Sequence, residues 1–442
     1  MRSFPTQTMD RALAPLLSAY RAAESHYRLQ PLNEPLGRLF SFAFNTQRPV
    51  HRWYMFKEGF AADLVGSFIH EFRVPKNDGL VVDPFSGSGT TALESQFQGY
   101  SSRGVEVNPF FADVASTKLR WLEGDVSAIR ASIDEVLASP DLAEAQVDQW
   151  PELTSFKRLY SESVLSELFR LKARILHTSD PADFTSAFLL LGLTSILELT
   201  SKAYKTGKGL KFRKRQLIKD PEEVRERVRR KWLEMLEDIS TLRGQHIEPG
   251  DARILRGDAR SIPLEDGCAS LVVYSPPYAN TFDYNEVYKL EMWFMDHVTS
   301  YEEWRRVKEA SLRSHVSLRI GAQEQGDELL EQALSLIEKP ARGEVEMLRA
   351  YFADMRLSLL EQKRICQPGA RVVIIVGNSS YRCVPIATDL ILARLAESVG
   401  FSVEQVRVGR RLNTSSQQMA LYNANDPAGM DFIRESAVIL HR

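Results

Sequence analysis

With 442 residues, 44% hydrophobic and 26% charged, the chain is long enough for one large domain with an insertion, or two domains, around a sizeable core. A formal net charge of −2 excludes a nucleic-acid role resting on bulk electrostatics, so any such role needs basic residues gathered locally. Cys268, Cys366 and Cys383 are widely spaced with no C-x-x-C pair, which argues against a disulfide framework or a zinc site and suits a reducing cytoplasm.

The opening MRSFPTQTMDRALAPLL lacks the charged-then-apolar plan of a signal peptide. The run Gly79 to Val82 is short, apolar and valine-rich, as a buried parallel strand is. It leads into Asp83-Pro84-Phe85-Ser86-Gly87-Ser88-Gly89-Thr90-Thr91, and a helix is expected over Ala92 to Phe97. Another short strand, Ser102 to Val105, runs into Glu106 and Asn108.

From about Gly124 to Gly250 apolar residues recur at helical spacing (Leu165, Leu168, Leu171, Ile175) with no convincing strand, which predicts a helical insertion. Its most apolar stretch, Phe184 to Leu199, is broken by Thr185, Ser186, Thr194, Ser195 and Glu198, so a buried helix is expected there and no membrane span. Lys202 to Lys219 holds eight lysines or arginines and no acid, and a mixed-charge helix is expected over Asp220 to Trp232.

A second strand, Ala269 to Tyr274, ends in Ser275-Pro276-Pro277-Tyr278, and a polar helical stretch follows over about 301–341. A third, Arg371 to Val376, ends in Gly377 to Ser380, with a helix expected over Ile386 to Val399. These signals divide the chain at 1–123, 124–250 and 251–442, the last carrying the helical insert.

In an open parallel sheet, ligands bind at the carboxyl ends of strands, so the turns after these runs are where chemistry is expected. Glycines in the first turn allow a ligand to approach the backbone closely, and the helix start behind them favours an anionic group. Glu106, after the next strand, is placed for ribose hydroxyls, and together these describe an adenosine-binding half-sheet. No Gly-Lys-Ser/Thr follows the glycines, which disfavours a P-loop. Gly87-x-Gly89-x-x-Ala92 also satisfies the dinucleotide fingerprint, so a nicotinamide enzyme stays open, as does a turn that only packs helix on strand.

The second turn is more specific. Two prolines end the strand and stiffen the turn. An exocyclic amino nitrogen is a poor nucleophile because its lone pair is delocalised into the ring. The Ser275 hydroxyl and the Pro276 carbonyl can accept its hydrogens and turn the lone pair toward an electrophile. Tyr278 offers a face on which a base can stack. A lone SPPY would more simply be a proline turn with a buried tyrosine, but here it follows the glycine turn and Glu106 in one chain.

These residues resemble the amino-group DNA methyltransferases, most of all the cytosine-N4 members. In that family DPFxGSGTT is the cofactor loop, an acid after the next strand holds the ribose, and [D/N/S]PPY is the catalytic turn, its serine form seen mostly in cytosine-N4 enzymes. Residues 279–291, Gly377-Asn378-Ser379-Ser380-Tyr381, Arg256-Gly257-Asp258-Ala259 and Phe56 to Phe72 add to the resemblance. It covers roughly 40–125 and 250–420 and leaves the insertion largely unmatched. The glycine loop here precedes the catalytic turn, whereas many cytosine-N4 enzymes have the reverse order, which leaves the target-recognition region unplaced.

The resemblance implies an α/β, Rossmann-like class I S-adenosylmethionine-dependent methyltransferase fold, a mostly parallel sheet with helices on both faces and a helical insertion. It implies S-adenosylmethionine as methyl donor, S-adenosylhomocysteine as product and no metal. Double-stranded DNA is the implied substrate, in the cytoplasm of a bacterial or archaeal cell, with a cognate restriction endonuclease as partner and no membrane. Asp83 is expected to order the loop or meet the cofactor, or else to cap the helix start; Asp258 either binds the adenine amine or sits in a solvated turn.

A carbon-5 cytosine methyltransferase needs a cysteine after proline, which none of the three provides. His51, His70 and His297 show no ligand spacing. Lys202, Lys205, Lys208, Lys211, Arg213, Lys214 and Arg215 are expected along phosphates or in a solvated loop. Arg410 and Arg411, with Asn413 to Gln417, form a second polar stretch that could touch DNA. Adenine-N6 methylation, an RNA base substrate and a non-catalytic nucleic-acid-binding subunit remain alternatives.

Overall fold

The computed structural model describes residues 6–31, 34–138, 158–206, 209–280, 282–316, 326–338, 340–412 and 427–442. Its centre is a seven-stranded sheet in the order β10-β11-β7-β6-β1-β2-β5. The strands are β1 (Leu80–Asp83), β2 (Ser101–Glu106), β5 (Ala252–Arg256), β6 (Ala269–Tyr274), β7 (Cys366–Gly377), β10 (Ser402–Arg411) and β11 (Arg434–His441). β5, β2, β1, β6 and β7 are parallel, and β11 runs antiparallel between β7 and β10.

Burial follows strand position. β6, in the middle, is buried at every residue, whereas the edge strand β5 carries Arg253 and Arg256 and stays partly exposed. The two faces build separate cores. Val81, Leu271, Val273, Val373 and Ile375 pack with the helix Ala62–Glu71. Their neighbours Val82, Val272, Tyr274, Val372 and Ile374 pack with the helices Glu344–Ile365 and Thr388–Ser398. Alternate side chains thus serve opposite layers, as the period of a strand requires.

Between β2 and β5 lie the helices Val126–Ala138, Glu162–Thr178, Phe184–Ser195, Leu197–Thr200 and Pro221–Gly244. They share one core with Leu93 and Phe110 of the main layer and with Trp53 and Tyr54. Asp238 pins them down: its buried carboxylate accepts from the Val50 N–H at 2.9 Å, Trp53 Nε1 at 3.0 Å and Arg52 at 2.6 Å.

Several expectations need correction. The insertion does contain strands, the antiparallel hairpin β3 (Ala203–Thr206) and β4 (Gly209–Phe212), hidden in the sequence by its lysines. The helical stretch expected over about 301–341 contains, among the described residues, the helices Tyr301–Ala310 and Glu328–Ser335. β5 and β10 are edge strands rich in charge, and β11 is an inner antiparallel strand whose short buried run, Ala437 to Leu440, is not among the strands expected. A further antiparallel pair, β8 (Ser379–Tyr381) with β9 (Val384–Ile386), follows β7. Among the described residues no helix is long and apolar enough to cross a membrane, and no group of three or more His, Cys, Asp or Glu could hold a metal.

Candidate active site

The strand order reverses at β1, which pairs with β2 on one side and β6 on the other, and a crevice opens at the carboxyl ends there. Its walls are Pro84, Phe85 and Gly87 after β1, Glu106 and Asn108 after β2, Asp258 and Ala259 after β5, and Ser275, Pro276 and Pro277 after β6. Phe56, Glu58, Asn285, Lys308 and His315 are also part of the lining. Phe56 and Glu58 fall in the stretch Phe56 to Phe72 and Asn285 in 279–291, both part of the resemblance, whereas Lys308 and His315 come from the polar stretch 301–341 and are brought to the crevice by tertiary packing.

The glycine loop is shaped by close approach. Gly87 and Gly89 have φ of +49° and +83°. A Cβ at Gly87 would lie 2.7 Å from the Phe56 ring, and one at Gly89 would lie 2.8 Å from the Ala115 methyl. Glu106 grips the loop, accepting the Gly87 N–H at 2.7 Å on one oxygen and the Asn108 N–H at 2.8 Å on the other. Burial drives its pKa up to about 7 against these bonds. The Asn108 side chain in turn caps the helix Pro109–Leu119 through the Phe110 N–H at 3.0 Å.

Asp83, Ser86, Ser88, Gly89, Thr90 and Thr91 stand behind the loop and are not part of the crevice lining. Asp83 orders the turn, accepting the Phe85 N–H at 2.9 Å, and burial raises its pKa to about 7. The Ser86 N–H donates to the Val105 carbonyl at 3.0 Å. Thr91 donates its hydroxyl to the Val273 carbonyl at 3.3 Å, tying the helix after the loop to the strand that carries the catalytic turn. Beneath them the buried Lys118 donates to the carbonyls of Ser88 and His51, both at 3.2 Å, and desolvation lowers its pKa to about 7.

At the Ser275–Tyr278 turn, Ser275 donates to the Tyr278 hydroxyl at 3.4 Å, and Tyr278 donates to Glu435 at 2.5 Å. Arg410 Nε donates to the other oxygen of Glu435, also at 2.5 Å. Tyr278 is not on the crevice wall; its ring lies so close to Gly377 that a Cβ there would sit 2.7 Å from it. Asp258 does line the crevice, but both its oxygens are engaged by Arg260, at 2.7 to 3.0 Å.

The basic segment divides. Lys205 does not lie along a surface: its ammonium is buried in an ion pair with Glu291, donates to the Tyr54 hydroxyl at 3.1 Å and sits 4.1 Å over the Tyr288 ring. That corrects its expected phosphate contact, because Glu291 already neutralises it away from solvent. Arg213 is turned onto the backbone, donating to the Ala203 carbonyl at 2.8 Å. Lys211, Lys214 and Arg215 are exposed, Lys202 is half-buried, and β4 packs against the short helix Tyr284–Val287 at the crevice wall. Arg410, expected on DNA, is held by Glu435, while Arg411 is exposed and 3.5 Å from Asp431. Lys208 and residues 413–417 lie outside the described residues.

A parallel sheet whose last strand but one in space is antiparallel, with a glycine loop and a buried acid at its switch point, defines a Rossmann-like methyltransferase fold. The chain is a homologue of the Type II methyltransferases. It is 24% identical to Type II methyltransferase M.BsoBI of Geobacillus stearothermophilus, over 92% of this chain and 90% of that one. It is 25% identical to M.AvaI of Nostoc sp., over 91% and 90%, and 20% identical to M.MvaI of Kocuria varians, over 79% and 82%. No family model matches the chain.

Among solved structures the chain is similar to TrmN from Thermus thermophilus, at 11% identity and a TM-score of 0.25, over 86% of this chain and 48% of that one. The rRNA methyltransferase aviRa from Streptomyces viridochromogenes gives 11% and 0.27, over 89% and 84%. Likenesses this slight carry no argument of their own.

Proposed function

We propose that the protein is a site-specific DNA methyltransferase that methylates the exocyclic amino nitrogen of a flipped-out base, cytosine N4, as the modification enzyme of a restriction–modification or related defence system. One observation carries this reading: Ser275, Pro276 and Pro277 share a crevice with Gly87 and Glu106. Homology to Type II methyltransferases over nine-tenths of the chain supports it.

The crevice suits an adenosyl ligand. Glu106 is a buried carboxylate for ribose hydroxyls, Gly87 leaves room beside Phe56, and Phe85 adds an apolar wall. S-adenosylmethionine, when bound, supplies an electrophilic methyl group, and its C–S bond breaks as the N–C bond forms, leaving S-adenosylhomocysteine. Ser275 Oγ and the Pro276 carbonyl accept the two amino hydrogens and turn the nitrogen lone pair toward that methyl. The nitrogen then sheds one proton to solvent. No residue forms a covalent bond to the base. Flipping the base costs a few kcal/mol, offset by contacts with the protein.

Lys211 on β4, with Lys214 and Arg215 just after it, are the phosphate contacts of this reading, and the insertion 124–250 is its target-recognition region.

The test is incubation with labelled S-adenosylmethionine and unmethylated genomic DNA, with Ser275→Ala as control, followed by digestion to nucleosides and mass identification. N4-methylcytosine, lost in the control, is the expected product. N6-methyladenine would keep the mechanism and overturn the base; no label in DNA would overturn the substrate.

A further inference from the structure

Ser275 can assist an amino group only as an acceptor, yet a serine hydroxyl is also a donor, and its proton must point somewhere. If that proton faces the base it meets an N–H hydrogen and opposes binding of the amine. In this structure the proton has a destination. Ser275 donates to the Tyr278 oxygen at 3.4 Å, Tyr278 donates to Glu435 at 2.5 Å, and Glu435 accepts from Arg410 at 2.5 Å. The chain ends on a carboxylate, which has no proton to give back, so its polarity is fixed in one direction.

Three strands meet to build this relay. Arg410 on β10 pairs with Glu435 on β11, which pairs with Gly377 on β7. Gly377 is the point where the Tyr278 ring crosses the sheet, and any side chain there would push the phenol away from Glu435. Glu435 is 2% exposed, and its two oxygens accept hydrogen bonds from the Tyr278 hydroxyl and from its ion-pair partner Arg410.

We propose that Glu435, acting through Tyr278, is a positioning residue that orients the Ser275 hydroxyl so that its lone pairs face the amino group being methylated. This rests on the methyltransferase reading above. Glu435 does not touch the base or the cofactor. Arg410 belongs to the relay as the ion-pair partner of Glu435.

Glu435→Gln is the informative variant. Its amide can donate to the Tyr278 oxygen, which sends the phenol proton back toward Ser275 and reverses the relay. Tyr278→Phe breaks the relay while keeping the ring and the Glu435–Arg410 pair, so it serves if Glu435→Gln folds poorly. Single-turnover methylation of the duplex site modified by the wild type would be measured, alongside equilibrium binding of S-adenosylhomocysteine and of that duplex. The expectation is a loss of kcat of about 10-fold or more in each variant, with both binding constants within about 2-fold of wild type.

The decisive readout is the double variant. If the effect of Glu435 travels through the phenol, Glu435→Gln costs nothing further in the Tyr278→Phe background. Additive losses would overturn the proposal in favour of a purely structural role, as would wild-type kcat in Glu435→Gln. Failure of the wild type to methylate any DNA would sink the methyltransferase reading itself, a distinct result from an active wild type with an equally active Glu435→Gln.

Discussion

Glu106 accepts the Gly87 N–H at 2.7 Å, so the carboxylate proposed to hold a ribose also holds the glycine loop in shape. Two strands therefore share one acid. Its pKa of about 7, against an ordinary 4.5, makes the site sensitive to pH near neutrality.

The folded protein favours protonated Glu106, so the stability it contributes is complete below pH 4.5 and is lost as pH rises through about 7. Wild-type stability relative to Glu106→Gln should therefore fall across that window in chemical denaturation. Cofactor affinity should move the other way, because ribose hydroxyls donate to the ionised form: calorimetry should show binding tightening as pH rises through about 7. Glu106→Gln should weaken it about 10-fold or more, near 1.4 kcal/mol, and flatten the pH dependence.

Lys118 has the opposite sign. Its pKa falls from 10.5 to about 7, so its contribution is present above pH 10.5 and is lost as pH falls through about 7. Lys118→Met removes a buried amine that has no carboxylate partner among the described residues, but also two bonds to the Ser88 and His51 carbonyls. Wild-type stability relative to Lys118→Met should rise between pH 7 and 10 in parallel denaturation series; a flat difference would rule out a lowered pKa.

Asp238→Ala should be among the most destabilising single changes. It strands the Arg52 guanidinium and leaves the Val50 N–H and the Trp53 indole N–H without their acceptor in the core. The expected cost is about 3 kcal/mol or more, read from the urea midpoint.

Replacing Lys211, Lys214 and Arg215 together by alanine should weaken DNA binding and lower its salt dependence by about 3 in the slope of log K against log salt. Lys205→Ala should leave that slope unchanged and instead lower the melting temperature, since its partner Glu291 is 1% exposed. A slope change in Lys205→Ala would return that lysine to the phosphate contacts.

The sequence by itself determined the inner sheet and its two turns. β1, β6 and the heart of β7 are buried on both faces, so they must be apolar runs, and such runs are legible without partners. The glycine and proline turns are legible for a related reason: backbone angles and missing N–H groups are local properties, as Gly87, Gly89, Pro276 and Pro277 show. The homology to Type II methyltransferases agrees with the family those turns resemble.

Tertiary structure alone decided which charged side chains face solvent. Lys205 and Lys211 are both lysines in one acid-free run, but one is buried against Glu291 and the other is exposed. Arg410 finds Glu435 across two strands, and Lys118 finds Ser88 across a helix and a loop. Each outcome depends on a partner distant in the chain, and the pairing energy of a charge is set by that partner and by desolvation, neither of which is written in the residue's own neighbourhood.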